Sequence, residues 1–290
     1  MTATVYFSSE ITPAALVEVY RRLGREAKGK VAVKISTGEP GPRGGNWLDP
    51  GLIKDFVQLV DGAIVECCTA YGGRRSEPAE HLRVAAEHGF TAIAPVDIMD
   101  AEGEVDLPTH PGGHLTRDIV GAHLLDYDFL VVLSHFKGHV MGGFGGAVKN
   151  ASIGCASAAG KLNIHSAGAS LTAMSGEGST QDGFLESMAE AAMAVADHFG
   201  DRILYLNVAN NISVDCDCDG NAAPPTMADL GILGSLDPVA LDRATTDLVR
   251  QAPDSAEVVE RIDSRHGMHT LDQAARLGLG VQDYELVTVG

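Results

Sequence analysis

YDFLVVLSH, residues 127–135, is the stretch that decides the fold. Its centre is short and apolar, and it follows a polar turn, which is typical of a strand buried on both faces. Such a strand needs helices on both sides of its sheet, because neither face meets water. The stretch therefore predicts an α/β protein with a mostly parallel sheet.

The segments on both sides alternate between strand-like and helix-like patterns. Further strands are predicted at 30–36, 62–67, 92–98, 202–209 and 284–289. Helices are predicted at 12–28, 50–60, 76–89 with Ser76 as its cap, 183–199, after Asp237-Pro238, and twice more before the last strand. The Gly/Ala/Ser-rich stretch 142–180 matches neither pattern. This alternation favours a sheet flanked by helices, in two lobes with a cleft.

We expect the lobes to divide near the middle of the chain. An N-terminal α/β lobe at 1–165 would carry a loop rich in histidine, glycine and lysine, and a C-terminal α/β lobe would follow at 166–290. The two lobes would form a single family unit. Functional loops in such sheets follow the carboxyl ends of strands. Four loops meet this condition, at 36–47, 67–77, 134–166 and 210–230.

The composition excludes several classes of protein. The chain has 290 residues and a formal net charge of −18, so nucleic-acid backbones and anionic lipids would repel it. No apolar run approaches the roughly 18 residues of a membrane helix, and MTATVYFSSE at the N-terminus does not resemble a secretory signal. Five cysteines are too few for a disulfide framework. We expect a cytoplasmic protein with free thiols.

The loop after residues 127–135 carries most of the candidate chemistry. It reads LSHFKGHVMGGFGGAVKNASIGCASAAGKLNIH, residues 133–165. His135 and His139 suit acid/base catalysis or metal ligation. The loop also has residues suited to cofactor binding, through close backbone approach or positive charge: Gly143, Gly145, Gly146, Lys149 and Lys161. Tight turns and structural histidines are the alternative interpretation.

Two further groups are candidates. Cys216 and Cys218 can both face one point and bind a metal, although two thiolates are half of a tetrahedral site, and a solvated loop is the alternative. In so acidic a chain, we also expect a positive patch that attracts the carboxylate or phosphate of a small anionic substrate. Its expected members are Arg74, Arg75, Lys149 and Lys161.

Three longer stretches resemble the domain of unknown function 362 family, also described as "Fe–S centre" proteins. They are VECCTAYGGRRSEPAEHLRVAAEHGF (65–90), LSHFKGHVMGGFGGAVKNASIGCASAAGK (133–161), and SVDCDC (213–218) followed by DLGILGSLDPVALDRA (229–244). Many members carry a ferredoxin insert just after the position of His165. Here SAGASLTAMSGEGSTQDG (166–183) contains no cysteine, so no [4Fe–4S] ferredoxin clusters are expected.

A more distant resemblance is to the nickel-pincer lactate racemase family. It rests on HVMGGFGGAVK (139–149) and a later histidine, His165. The resemblance implies that His139 is the acid/base, that Lys149 holds a pyridinium cofactor covalently, and that His165 ligates nickel. That family has a second histidine in a loop comparable to GGRR (72–75), where this chain has none. Arg74 or Arg75 would instead bind a substrate carboxylate there.

These observations leave three hypotheses for the function. The first is an isomerase-like enzyme or an oxidoreductase that transfers a proton or hydride at a carbon of a small carboxylate-bearing substrate. It would use nickel, iron or a pincer-like cofactor, with His165, Cys216 and Cys218 as candidate metal ligands. The second is a redox protein that has lost its ferredoxin clusters and works with a redox partner. The third is a non-catalytic metal- or ligand-binding protein, and self-association into a homo-oligomer stays open.

Overall fold

The computed structural model describes residues 2–41 and 46–289. Part of the predicted loop at 36–47 therefore lies outside the described residues. The described strands, in chain order, are β1 (Ala3–Ser8), β2 (Val31–Lys34), β3 (Gly62–Glu66), β4 (Val96–Ile98), β5 (Glu104–Pro108), β6 (Arg117–Gly121), β7 (Phe129–His135), β8 (Lys137–His139), β9 (Gly143–Gly145), β10 (Ile203–Ala209), β11 (Gly231–Ser235) and β12 (Tyr284–Thr288).

The helices alternate with these strands, as the sequence pattern predicts. They are α1 (Pro13–Arg22), α2 (Pro50–Leu59), α3 (Pro78–Glu87), α4 (Ala147–Ser152), α5 (Ala158–His165), α6 (Gln181–Phe199), α7 (Pro238–Gln251), α8 (Ala256–Ser264) and α9 (His269–Leu277). Within the described residues, no helix combines the length and apolarity needed to span a lipid bilayer.

A sheet of eight strands forms the centre of the molecule, in the order β12-β1-β11-β10-β7-β2-β3-β4. Every neighbouring pair is parallel except the two pairs that involve β11. Two short antiparallel hairpins, β5-β6 and β8-β9, lie outside this sheet. The α/β class with a mostly parallel sheet is confirmed, whereas the division into two lobes at 165 stays a prediction.

Strand β7 shows why helices cover both faces. All seven of its residues are buried. Phe129, Val131 and Leu133 pack in a core with α1 and α2, whereas Leu130 and Val132 pack on the other face with α4, α6 and α7. Alternate side chains of a strand point to opposite faces, so one apolar run supplies both cores. The strand prediction from 127–135 is confirmed.

Some predicted elements were wrong or missing. Ser76 does not cap α3, because its hydroxyl donates to the carbonyl of Gly73 and Pro78 takes the first helical position. The first helix ends at Arg22 rather than near 28. The stretch 142–180 contains β9, α4 and α5. Helix α5 is buried on more than one side, so it lacks the one-sided apolar pattern by which helices are recognised. Strands β1 and β11 and the β5-β6 hairpin were not predicted.

Helix α4 begins at a cap supplied from far along the chain. The carboxylate of Asp242, in α7, accepts hydrogen bonds from the N–H groups of Ala147 and Val148 at 2.7 and 2.9 Å. Asn207 in β10 donates to the same carboxylate at 2.8 Å. A β-carbon on Gly146 would collide with Asp242, so only glycine permits this approach. Asp242 therefore holds the turn that carries Lys149 against the sheet.

Replacing Asp242 by alanine should destabilise the protein strongly. Three buried donors would lose their acceptor, which predicts a loss of about 3 kcal/mol or more in the free energy of unfolding. Asp49→Ala is the matched control, because Asp49 is an exposed helix cap and should cost about 1 kcal/mol. Urea denaturation followed by circular dichroism measures both. Equal losses in the two variants would contradict the structural role assigned to Asp242.

Candidate functional site

A cavity of about 370 Å³ opens at the carboxyl ends of four neighbouring parallel strands. The ends of β2, β3 and β7 contribute Lys34, Glu66 and His135, and the loop after β10 contributes Cys216 to Gly220. All four loops predicted from the sequence therefore supply residues that line this cavity. Ligands of α/β sheets commonly bind at this edge, and the cavity is the candidate functional site.

Lys149 lies at the centre of the charged groups in the cavity. Its charge acts on the thiols of Cys216 and Cys218, on His139 and on His165. Within residues 2–41 and 46–289, its Nζ has neither a hydrogen-bond acceptor nor a carboxylate partner. A primary amine in this state is available to a ligand.

Two further lysines line the cavity without a carboxylate in contact. Nζ of Lys34 donates to the carbonyl of Ile35 at 2.6 Å and to Asn150 at 3.1 Å. Nζ of Lys161 donates to the carbonyl of Ala156 at 2.5 Å. Burial lowers the pKa of Lys34, which shows that its charge is poorly compensated, although the more distant Glu66 acts against the shift. An anion in the cavity would compensate these charges.

The ring of His139 is oriented by two backbone groups. The N–H groups of Gly142 and Met141 donate to its Nδ1 at 2.8 and 3.2 Å. Nδ1 must therefore carry the lone pair, and the hydrogen of the neutral ring lies on Nε2. Burial lowers the pKa of His139 well below its usual range, and the charge of Lys149 adds to this. His139 thus presents a hydrogen-bond donor, and Nε2 is not in the form that accepts a proton or binds a metal.

His165 has the opposite arrangement. Its Nδ1 lies 2.7 Å from the carbonyl of Lys161, so Nδ1 carries the hydrogen and Nε2 keeps a lone pair. A metal-ligating histidine normally donates its other N–H to a fixed acceptor in this way. Burial lowers the pKa of His165 to about 4, so the ring is neutral at pH 7. The ring also stacks on Phe184, with centroids 4.7 Å apart.

Cys216 and Cys218 lie in a tight turn at the edge of the cavity. The N–H of Asp219 donates to the carbonyl of Cys216 at 3.0 Å and closes the turn. The two sulfurs and a ring nitrogen of His139 all lie within 4.8 Å of one another. This proximity is that of a three-ligand metal group, but the hydrogen on Nε2 of His139 opposes coordination by that nitrogen. His165 lines the same cavity without belonging to this group.

His135 is fully engaged in structural hydrogen bonds. Its Nε2 donates to the carbonyl of Asn210 at 2.7 Å, and its Nδ1 accepts from Lys137 at 2.5 Å. Lys137 also forms an ion pair with Asp217. This buried group anchors the turn of Cys216 and Cys218 to the end of β7. Nothing in the described contacts leaves His135 a nitrogen with which to act on a ligand.

The two neighbouring arginines have different surroundings. Arg74 does not line the cavity, and its 40% exposed side chain pairs with Glu87 and Glu80. Arg75 lines the cavity and is 2% exposed, and its guanidinium contacts Glu39 at 2.6 Å and Glu66 at 3.2 Å. Burial raises the pKa of Glu66, but the charges of Arg75 and Lys34 outweigh it and hold the pKa well below its usual value. The structure thus brings Arg75, but not Arg74, to the predicted patch.

The predicted glycines have separate roles. Gly145 and Gly146 line the cavity beside Lys149. Gly143 does not line it: its φ is +78°, and a β-carbon there would lie 2.8 Å from the backbone of Gly267. Only glycine fits this packing contact between the β8-β9 hairpin and the segment after α8.

Sequence reasoning missed several residues of the site. Lys34, Lys137 and Asp217 line the cavity and are almost fully buried. One signal was available for Lys34, because it ends the apolar run VAVK of a strand that is buried on both faces. A lysine at such a position needs a polar partner or a ligand.

Comparisons with known proteins place the chain in a family. A family model described as Domain of unknown function (DUF362) matches residues 31–247, which is more than half of the chain. No curated protein matches the chain.

Similar solved structures include the lactate racemase apoprotein from Thermoanaerobacterium thermosaccharolyticum, with 17% identity and a TM-score of 0.40 over 70% of this chain and 50% of that one. A crystal structure of a Thermotoga maritima protein has 13% identity and a TM-score of 0.46, over 84% of this chain and 58% of that one. This chain thus spans about half the length of these proteins. No residue role is taken from either structure, because the TM-scores are low.

The two arginines should differ sharply when each is replaced by alanine. Arg75→Ala leaves Glu66 buried without its main partner, which predicts a loss of about 3–5 kcal/mol in the free energy of unfolding. Arg74→Ala is the matched control and should cost about 0–1 kcal/mol, as exposed ion pairs do. Urea denaturation at pH 7 measures both values. A loss below about 1 kcal/mol for Arg75→Ala would contradict the buried network.

Proposed function

We propose that this chain, which belongs to the DUF362 family, is an enzyme that moves a proton or a hydride at a carbon of a small 2-hydroxy or 2-oxo acid. The observation that carries the proposal is the side chain of Lys149, which has no hydrogen-bond acceptor or carboxylate partner within the described residues, in a cavity that His139 and His165 also line. A lysine in this setting beside two neutral imidazoles, at the carboxyl edge of a parallel sheet, favours chemistry over simple packing.

The charge of the cavity favours a carboxylate-bearing substrate. Lys34 and Lys161 are bonded only to carbonyl and amide oxygens. A substrate carboxylate would accept hydrogen bonds from one or both ammonium groups and would offset the cost of burying them. Arg75 is already paired with two glutamates, so the lysines are the better carboxylate partners.

His139 would act as a hydrogen-bond donor to the oxygen next to the reacting carbon. Its Nε2–H is held in place because two backbone groups donate to Nδ1. A neutral imidazole of this kind can stabilise the negative charge that develops on a substrate oxygen when a proton leaves or a hydride enters the neighbouring carbon. This role replaces the acid/base role that the family resemblance implies for His139.

The residues fit the cofactor that the nickel-pincer resemblance implies. Lys149 supplies the free amine that would hold a pyridinium group, and His165 supplies a neutral imidazole with a lone pair on Nε2. When bound, such a group would supply a centre that takes up a hydride. The chain itself would bind the substrate carboxylate, orient the oxygen next to the reacting carbon, and hold Lys149 and His165 in the lining of the same cavity.

Isotope exchange tests this proposal. Single enantiomers of small 2-hydroxy acids, and the corresponding 2-oxo acids, are incubated with the native protein in heavy water and followed by nuclear magnetic resonance and chiral chromatography. Uptake of deuterium at one carbon reports transfer of a proton, whereas inversion or oxidation of a 2-hydroxy acid without uptake reports transfer of a hydride, which does not exchange with water. His139→Ala should slow the exchange about 10²–10³-fold, the usual effect of removing one donor to a developing oxyanion. His139→Gln keeps an N–H donor and should retain part of the activity. The Arg74→Ala protein is the matched control and should exchange at the native rate.

Two outcomes would overturn the proposal or its details. If no acid takes up deuterium, inverts or is oxidised, although intact-mass and metal analysis show a group on Lys149 and a metal in the same preparation, the enzyme hypothesis fails. If His139→Gln is as inactive as His139→Ala while both retain the native fold, a donor role is wrong and proton acceptance is favoured.

His165→Ala should lose the metal before it loses the fold, since a missing ligand lowers metal affinity directly.

A further inference from the structure

We propose that Cys216 and Cys218 form a redox-active dithiol, which closes to a disulfide by exchange with a low-molecular-weight disulfide. This inference goes beyond the reaction proposed above and does not depend on it. It rests on three features of the turn at 216–219: the proximity of the two sulfurs, their position on the cavity, and the rigid attachment of the residue between them.

The turn holds the two thiols close together. Their sulfurs lie within 4.8 Å of each other, and the hydrogen bond from Asp219 to Cys216 closes the turn. Asp217, between them, is fixed on both sides: its carbonyl accepts from the N–H of Glu39 at 2.7 Å, and its carboxylate pairs with Lys137. A disulfide requires two cysteines on nearby backbone.

The surroundings of the pair favour a thiolate. Nε2 of His139 lies 3.9 Å from the sulfur of Cys218 and carries the hydrogen of the ring. Lys149 lines the same cavity. A nearby donor and a positive charge favour the thiolate, which is the form that attacks a disulfide. One sulfur of the pair therefore attacks, and the other resolves the mixed disulfide.

A metal is the competing occupant of this pair. Within the described residues, His139 is the third candidate ligand close to the two sulfurs, but the backbone N–H groups of Met141 and Gly142 leave the hydrogen on the nitrogen that faces the sulfur of Cys218. A metal-bound imidazole needs the reverse tautomer. Without His139, two sulfurs fall short of the four ligands of a structural zinc site. These contacts favour a thiol pair over a metal site.

The exchange balances in two steps. One thiolate of the pair attacks one sulfur of the small disulfide, forms a mixed disulfide and releases the first small thiolate, which takes a proton from water. The other cysteine then gives its proton to water, attacks the protein sulfur of the mixed disulfide and releases the second small thiolate, which is also protonated. The two cysteines are oxidised by two electrons, and the small disulfide is reduced to two thiols.

The other three cysteines are an internal control for the reactivity of the pair. Cys67, Cys68 and Cys155 are buried, and burial raises the pKa of each of their thiols. Buried thiols with raised pKa values react slowly. Any rapid reaction of the native protein with a disulfide should therefore occur at the pair alone.

Oxidised glutathione is the probe for the experiment. Native protein, reduced and then freed of reductant, is incubated with it, and the remaining thiols are alkylated and counted by intact-mass and peptide mass spectrometry. We expect loss of two thiols, an internal bridge between Cys216 and Cys218, and no bound glutathione. Cys218→Ser and Cys216→Ser each leave one thiol of the pair, so each should instead accumulate one glutathione on the remaining cysteine and form no bridge.

Controls make each outcome decisive. Cys68→Ser should form the bridge at the native rate, and circular dichroism should show that all variants are folded. The proposal is overturned if folded native protein forms no bridge, or if neither serine variant takes up glutathione. It is also overturned if stoichiometric zinc or nickel in the purified protein blocks alkylation of the pair until a chelator is added, because the pair is then a metal site.

Discussion

The burial of positive charge without matching carboxylates is the constraint on which this site depends. Lys34 and Lys161 are buried and Lys149 is half-buried; all three line one cavity, and in the described chain none of them contacts a carboxylate. The protein as a whole carries a formal charge of −18, but two of the carboxylates that line the cavity, Glu66 and Asp217, pair with Arg75 and Lys137 instead. Burying ammonium groups costs free energy unless an opposite charge is supplied. An anionic ligand is the natural source of that charge.

The scaffold holds the other reactive groups around this charge. Asp242 caps the helix of Lys149, backbone N–H groups orient His139, and the Lys137–Asp217 pair holds the turn between the two thiols. Each group is fixed by contacts from a different part of the chain. Such preorganisation is what allows donors and nucleophiles to act without moving first. The proposed carbon chemistry and the proposed thiol exchange would both depend on these fixed groups.

The sheet and the loops that line the cavity could be predicted from the sequence, whereas the burial and the protonation of individual side chains could not. Apolar runs such as 127–135 reveal buried strands, and loops after such strands meet at one edge. Arg74 and Arg75 are adjacent and chemically identical, so only the fold shows that one is exposed and the other buried. The tautomer of His139 depends on two backbone N–H groups whose direction no pattern encodes. Strand β11 was missed because GILGS is short and rich in glycine.

Calorimetric titration with a small 2-hydroxy acid tests the central claim most directly, namely that this cavity binds a carboxylate beside Lys149. The native protein should bind the acid. Lys34→Met, which removes one of the two proposed carboxylate partners, should weaken the binding at least about tenfold, which corresponds to about 1.4 kcal/mol, close to the lower end of the range for a hydrogen bond to a charged group. Lys28→Met should have no effect, because that side chain is 72% exposed and lies outside the cavity. Absence of binding, or equal affinities in all three proteins, would contradict the account.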